Sequence, residues 1–193
     1  GVGVLGGGRE RDGAGRQKPA INARQEDLTM QEQLVRHTLP PIYDAGSRVL
    51  LLGSMPSPKS REVGFYYGHP QNRFWRVLAA LFLEPVPEGN EARTAFLHRH
   101  GIALFDVLAS CRIQGASDTS IKDPVANDLT PILQAADIGA IFCTGGKAHS
   151  LYRRYCQPVT GRTALLLPST SPANCQKRFE DLVAAYGAIL AYL

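Results

Sequence analysis

Apolar residues run unbroken through Val49-Leu-Leu-Leu52 and stop at Gly53. A short continuous apolar run ended by a turn residue predicts a strand buried on both faces. The period then changes. Phe74, Val77, Leu78 and Leu81 recur at three- and four-residue spacing, which predicts a helix over Arg73–Leu83. Asn90–His100 reads as a second helix, Ile102–Leu108 as an apolar strand interrupted by Asp106, and Asp128–Ala136 as a short helix. Ile138–Thr144 is another buried strand, closed by Gly145-Gly146 and followed by a helix over Lys147–Cys156. Thr163–Leu167 is a further strand. Cys175–Leu193 predicts a closing amphipathic helix carrying Phe179, Leu182, Val183, Tyr186, Ile189 and Leu190. Short strands alternating with helices predict an α/β fold, a mainly parallel sheet covered on both faces.

Residues 1–29 break this pattern. Gly1-Val-Gly-Val-Leu-Gly-Gly-Gly8 runs into Arg9-Glu-Arg-Asp-Gly-Ala-Gly-Arg16 with few large apolar residues and no period. Such a composition cannot bury enough surface to offset the entropy of ordering. The expectation is a disordered leader over 1–29 and a single domain over 30–193. Gly1–Gly6 spells G-x-G-x-x-G, but no strand precedes it and no core helix follows, so it is no dinucleotide motif.

The rest of the composition mainly excludes. An apolar fraction of 44% and a charged fraction of 20% are ordinary for a soluble globular protein. No apolar run approaches the ~20 residues that span a bilayer, and the amino terminus lacks an apolar signal-peptide core. The expected location is cytoplasmic, beside the nucleoid in a bacterium. Cys111, Cys143, Cys156 and Cys175 include no C-x-x-C pair, which argues against a zinc ribbon or an iron–sulfur cluster and for reduced thiols. A net charge of +4 permits an anionic partner such as nucleic acid without requiring one.

The chemistry concentrates in Gly53–Trp75, G-S-M-P-S-P-K-S-R-E-V-G-F-Y-Y-G-H-P-Q-N-R-F-W. It reads as a long loop without secondary structure of its own, at the carboxyl end of a strand, where α/β sheets bind ligands. Its side chains offer flat stacking surfaces and neutral hydrogen-bonding groups, not a metal cage or a charged triad. Pro168-Ser-Thr-Ser-Pro-Ala-Asn174 follows the last strand and faces the same sheet edge. Gly145-Gly-Lys147 fails the phosphate-loop pattern because Ala148 follows the lysine, although Lys147 at a helix start could touch a phosphate. There is no G-x-S-x-G elbow. His98 and His100 read as solvent-facing, with no acidic neighbours placed to complete a metal site.

The two loops together resemble the uracil-DNA glycosylase superfamily, and within it the branch of DNA-deoxyinosine (hypoxanthine-DNA) glycosylases. The resemblance rests on Gly53-Ser-Met-Pro-Ser57, on Phe65-Tyr-Tyr-Gly-His-Pro-Gln-Asn-Arg-Phe-Trp75 and on Ser169-Thr-Ser-Pro-Ala-Asn174, and it spans about residues 40–193 in order and spacing. It implies a three-layer α/β/α domain that flips a damaged base out of DNA and hydrolyses its N-glycosidic bond. Flipping costs a few kcal/mol and is cheapest at a mispair. The implied activity is monofunctional excision of hypoxanthine in base-excision repair, with no cofactor, no metal and no strand cleavage. The implied partner is double- or single-stranded DNA carrying a deaminated base, bound by a monomer away from any membrane. Two alternatives stay open: a uracil- or mismatch-specific glycosylase, and a non-catalytic binder of damaged DNA.

Two departures sharpen the residue assignments. Met55 stands where mismatch-specific relatives carry a water-positioning asparagine, and Ser169 where uracil-specific enzymes carry a histidine that stabilises the departing base. The deoxyinosine branch shares both absences, and the resemblance then puts the water-positioning role on Asn72. Asn72 is equally an apt N-cap for the helix that follows, a role worth about 1 kcal/mol. The base-binding residues implied are Gly53, Ser54, Tyr67, Gly68, His69 and Asp106. Tyr67 is the stacking aromatic, worth about 1–3 kcal/mol, while Phe65 and Tyr66 go to the core or rim. Gly68 admits close backbone approach. His69 contacts the base or a phosphate, or orders the turn before Pro70. Asp106 accepts the N1–H of hypoxanthine or makes a structural bond, since a charge in an apolar strand is costly unless paired. The DNA-binding residues implied are Ser57, Arg73, Ser169, Ser171, Asn174, Lys177 and Arg178, with Asn174 also capping the last helix. Ala173 takes the place of a leucine wedge, and Ser117-Asp118 receives no role.

Overall fold

The computed structural model describes residues 31–193, and the leader expected over 1–29 lies outside the described residues. In chain order the elements are β1 (Gln33–Arg36), β2 (Val49–Gly53), α1 (Pro58–Val63), α2 (Phe74–Phe82), α3 (Asn90–Arg99), β3 (Ile102–Asp106) and β4 (Leu108–Ile113). They continue with β5 (Lys122–Ala126), α4 (Thr130–Ala135), β6 (Ala140–Thr144), α5 (Gly146–Leu151), α6 (Gln157–Thr160), β7 (Ala164–Leu167) and α7 (Phe179–Tyr186).

Strands β3-β2-β6-β7 lie side by side in one sheet, and every pairing in it is parallel. Each residue of β2 and β3 is buried, as a sheet covered on both faces requires. Helix α3 packs on β3, α5 packs on β6 and β7, and α2 packs against α7, giving a three-layer α/β/α domain. The register pairs Gly53 with Asp106 and Thr144 with Leu167. Parallel strands end together, so the loops after β2, β3, β6 and β7 emerge along one edge, and that edge carries the candidate chemistry.

A second sheet is absent from the sequence expectation. Strands β1-β4-β5 form an antiparallel unit. The apolar run Ile102–Leu108 therefore serves two sheets, breaking at Val107. Asn127 holds the break: its Nδ2 donates to the carbonyls of Asp106 (2.9 Å) and Leu108 (3.0 Å), and its N–H donates to that of Val107 (2.7 Å). The connection from β4 to β5 carries a 3-10 turn at Asp118–Ser120.

Four local expectations are corrected. The Gly53–Trp75 segment has a helix of its own, α1, capped by the Ser57 hydroxyl accepting from the Ser60 N–H and ended by Gly64 in the left-handed region. The closing helix begins at Phe179 rather than Cys175, because the carbonyls of Asn174 and Lys177 are taken by Arg73 and cannot open a helix ladder. Asp181 accepts the Arg178 N–H there, so Asn174 is not the cap, and Phe179 is exposed. The helix expected over Lys147–Cys156 is α-helical only to Leu151 and continues as a π turn over Tyr152–Cys156. His100 is not solvent-facing: it stacks on Phe82 at 3.9 Å and meets Glu84 at 2.7 Å, while His98 faces Asp44 at 3.2 Å.

Candidate active site

The loops after the four parallel strands enclose a cavity of about 140 Å³, with Gly53, Tyr67, Asn72, Asp106, Asp118 and Thr144 among its walls. Its floor is Gly53. A Cβ there would collide with Asp106 Oδ1 and lie 3.1 Å from the Tyr67 hydroxyl, so only glycine lets β2 end under those two groups.

Asp106 ends β3 with its side chain almost fully buried, which demands a partner. The partner is His37, just after β1, whose Nε2 lies 2.8 Å from Asp106 Oδ2; the two side chains are 3% and 5% exposed. A carboxylate only accepts, so Nε2 carries the proton. The imidazole is held edge-on to Phe105 at 5.1 Å. Oδ2 is thereby fixed, and Oδ1 is the oxygen beside the cavity floor. No signal in the sequence links His37 to Asp106, which lies 69 positions away and meets it through the second sheet.

Tyr67 has φ +52°, a left-handed conformation rare for a bulky residue. Its ring stacks on Phe74 at 3.9 Å and 12°, and its hydroxyl shares a 2.7 Å hydrogen bond with Thr144 Oγ1. Burial and the nearby Asp106 charge push the Tyr67 phenol well above its ordinary range, so the hydroxyl stays protonated. Phe65 and Tyr66 are buried, with Tyr66 donating to the Leu39 and Pro40 carbonyls.

Asn72 resolves into two ends. Its Oδ1 accepts from the Phe74 N–H at 3.0 Å and from the Thr170 hydroxyl at 2.8 Å. Both lone pairs of that carbonyl are then in use. The Phe74 N–H can only donate, so the oxygen must face it, and Nδ2 is the end left for the cavity. The N-cap position of the helix is Arg73, with no side-chain cap; Asn72, one residue earlier, accepts the Phe74 N–H and also presents an amide donor.

Gly68 and His69 stand outside the cavity. Gly68 is demanded by packing: a Cβ would strike Val63, and its N–H donates to Ser60 Oγ at 3.0 Å. His69 Nδ1 accepts from the Gln71 N–H at 3.1 Å, which orders the turn. Ser57 caps α1. Ser54 does reach the site, donating from Oγ to Asp118 Oδ1 at 3.1 Å. Asp118 is a cavity residue with no mark in the sequence pattern. Asp118 is exposed on the outer side of its turn, and desolvation on the side that meets the cavity raises its carboxyl above the ordinary range, with the Asp106 charge acting the same way.

The phosphate contact expected of Arg73 is replaced by a clamp. Its guanidinium donates to the carbonyls of Lys177 (2.6 Å), Ser171 (3.1 Å) and Asn174 (3.0 Å), stapling the Pro168–Arg178 loop to the start of α2. Within that loop Ser169 Oγ accepts from the Ser171 N–H, Ser171 Oγ from the Ala173 N–H, and Asn174 Nδ2 donates to the Ser169 carbonyl. The side chains of Lys177 and Arg178 are exposed and lie outside the cavity lining. Arg73→Ala is expected to cost about 2 kcal/mol from three partly exposed charge-assisted bonds, lowering Tm by roughly 4–8 °C for a chain of this size. Arg73→Lys should recover only part, since an ammonium lacks the fork that reaches three carbonyls. Calorimetry on the variants checks this, and an unchanged Tm for Arg73→Ala would rule the clamp out.

The family model for the uracil DNA glycosylase superfamily matches residues 40–190 of this chain. The chain belongs to that superfamily. It is 34% identical over 136 residues to a hypoxanthine DNA glycosylase from Methanosarcina barkeri (strain Fusaro), covering 70% of this chain and 85% of the relative. A hypoxanthine DNA glycosylase from Methanosarcina acetivorans is 28% identical over 142 residues, 73% of this chain and 89% of the relative. The fold matches a solution NMR structure of a candidate uracil DNA glycosylase from M. acetivorans with a TM-score of 0.67 and 27% identity, over 82% of this chain and 99% of the other. This member of the superfamily is therefore a DNA glycosylase, with DNA as its substrate. Among the described residues no helix is long and apolar enough to cross a membrane, and no cluster of three His, Cys, Asp or Glu could hold a metal ion.

Proposed function

We propose that this glycosylase excises hypoxanthine from DNA in base-excision repair, acting as a monomer on duplexes or single strands. The observation that carries the reading is Asp106, with one oxygen fixed by His37 and the other turned to the cavity floor. Hypoxanthine offers an N1–H flanked by one carbonyl and one C–H. Uracil and xanthine offer an N–H flanked by carbonyls on both sides, so a buried carboxylate accepting from it also faces a second acceptor. Adenine has no hydrogen on N1 and repels the carboxylate outright. Guanine shares the N1–H, but its stable pair with cytosine makes flipping costlier.

The other residues fall into place around that contact. The face of Tyr67 turned away from Phe74 is the stacking platform for the flipped purine. Asn72 orients the attacking water through Nδ2–H, occupying one lone pair and leaving the other free to add at C1′. An amide takes no proton, so the water attacks a sugar already close to an oxocarbenium ion. Lys177 and Arg178, exposed on the loop that Arg73 clamps, attract phosphates. The 34% identical relative is a hypoxanthine DNA glycosylase, in keeping with this preference.

The test uses labelled duplexes carrying a single inosine, uracil or xanthosine, followed by alkali cleavage at abasic sites. Release from inosine should exceed that from uracil by at least about tenfold, the ratio set by roughly 1.4 kcal/mol. Equal or faster release of uracil would replace this reading with that of a uracil-specific enzyme.

A further inference from the structure

We propose that Asp118 is the general acid of the site, donating a proton to N7 of the departing purine. The inference rests on the hypoxanthine reading above. A purine leaves from N9, and the electrons of the broken bond spread over the imidazole ring to N7. A proton on N7 converts a poor anionic leaving group into a neutral one. Uracil has no equivalent nitrogen, and uracil-cleaving relatives place a histidine where this chain has Ser169, so a purine-specific site must find its donor elsewhere.

The structure offers Asp118 for that task. It rides on the 3-10 turn between β4 and β5 and lines the cavity with Gly115 and Ala116, exposed to solvent on its other side. Its Oδ1 is tethered by Ser54 Oγ at 3.1 Å, which sets the rotamer. Two carboxylates therefore share one cavity in unlike surroundings, the pattern that separates an acid from an acceptor. Asp106 is anchored by the donating ring of His37. Asp118 has a hydroxyl partner, with Asp106 and the Cys111 thiol on one side and Lys147 and Arg61 as the nearby cations. The Ser54 hydrogen bond and then Lys147 draw its carboxyl down, but desolvation outweighs them and the Asp106 charge acts with it. The proton is consequently retained to higher pH than on an ordinary carboxyl.

The step balances. The O–H bond of Asp118 breaks as N7–H forms, and the C1′–N9 electron pair passes into the ring. The base leaves as the neutral 7H tautomer. Water adds at C1′, its proton goes to solvent, and the Asp118 carboxylate is reprotonated for the next turnover.

Single-turnover release separates the outcomes, with wild type, Asp118→Asn and Asp118→Glu assayed from acid to neutral pH. Substrates are duplexes with deoxyinosine or 7-deazadeoxyinosine, which lacks the N7 acceptor. Wild-type release should fall as pH rises through the raised carboxyl pKa. Asp118→Asn keeps an oxygen for Ser54 yet should lose about 10²–10⁴-fold on deoxyinosine, the usual worth of a general acid, together with that pH limb. Asp118→Glu should restore part of both. On the 7-deaza substrate the variant should be no slower than wild type. Asp118→Asn with the wild-type rate and pH limb on deoxyinosine overturns the assignment alone. Wild type that releases no hypoxanthine at any pH overturns the substrate reading, and this one with it.

Discussion

Asn72→Asp is expected to lose hypoxanthine release by about 10²–10³-fold, the usual cost of deleting one well-placed donor, while its Tm stays near wild type. The substitution keeps an oxygen where Phe74 N–H and the Thr170 hydroxyl need one, and replaces the Nδ2–H donor with a second carboxylate oxygen that only accepts. Asn72→Ala should lose as much activity and in addition about 1–2 kcal/mol of stability, because it leaves the Phe74 N–H and the Thr170 hydroxyl without their acceptor. The two variants together separate the structural acceptor from catalysis. A fully active Asn72→Asp would show that an acceptor suffices at this position and sink the donor assignment. An active Asn72→Ala would reduce the residue to a structural hydrogen-bond acceptor. Circular-dichroism melting beside single-turnover release measures both quantities on the same preparations.

Asp106→Asn is expected to lower release from inosine by roughly 10²–10³-fold, since two donors then face each other and each unmet donor costs about 1–3 kcal/mol. The His37 ring still finds an oxygen at position 106, so the amide nitrogen turns to the floor where Oδ1 stood. Discrimination between inosine and uracil should collapse at the same time, because a donor at the floor no longer disfavours a second carbonyl. A variant that keeps the wild-type ratio of inosine to uracil release would show that Asp106 does not read the base. His37→Phe should show a smaller loss, and the double variant should show little beyond Asp106→Asn. Residues that act as one unit are not additive.

These predictions turn on contacts that the linear pattern does not contain. The apolar run at Val49–Leu52, the helical period from Phe74 and the short runs at Ile141 and Ala164 were enough to anticipate an α/β domain with parallel strands. Each strand and helix there is specified by its own residues: buried parallel strands by unbroken apolar runs, helices by three- and four-residue spacing. The placement of ligand-binding loops at the strand ends follows from the same alternation. Boundaries were less legible where a distant group competes for the backbone. Residues 175–178 carry a helical pattern, yet the Arg73 guanidinium, about a hundred positions earlier, takes the carbonyls that a helix would need.

By itself the sequence determined the family, the two loops that form the site, and the presence there of Gly53, Tyr67, Asn72 and Asp106. They came from the resemblance of the two loop motifs to known glycosylases, motifs that the chain carries in its letters. Only the tertiary structure decided what each group has free to offer. His37 reaches Asp106 through a second sheet and leaves one oxygen for the cavity. Phe74 and Thr170 use up the Asn72 carbonyl and leave its amide. Arg73 becomes a clamp, and Asp118 enters the wall on a turn without a sequence motif. The physical reason is the same in each case. A hydrogen-bonding group has a fixed number of donors and lone pairs, and long-range partners settle how many remain for a substrate.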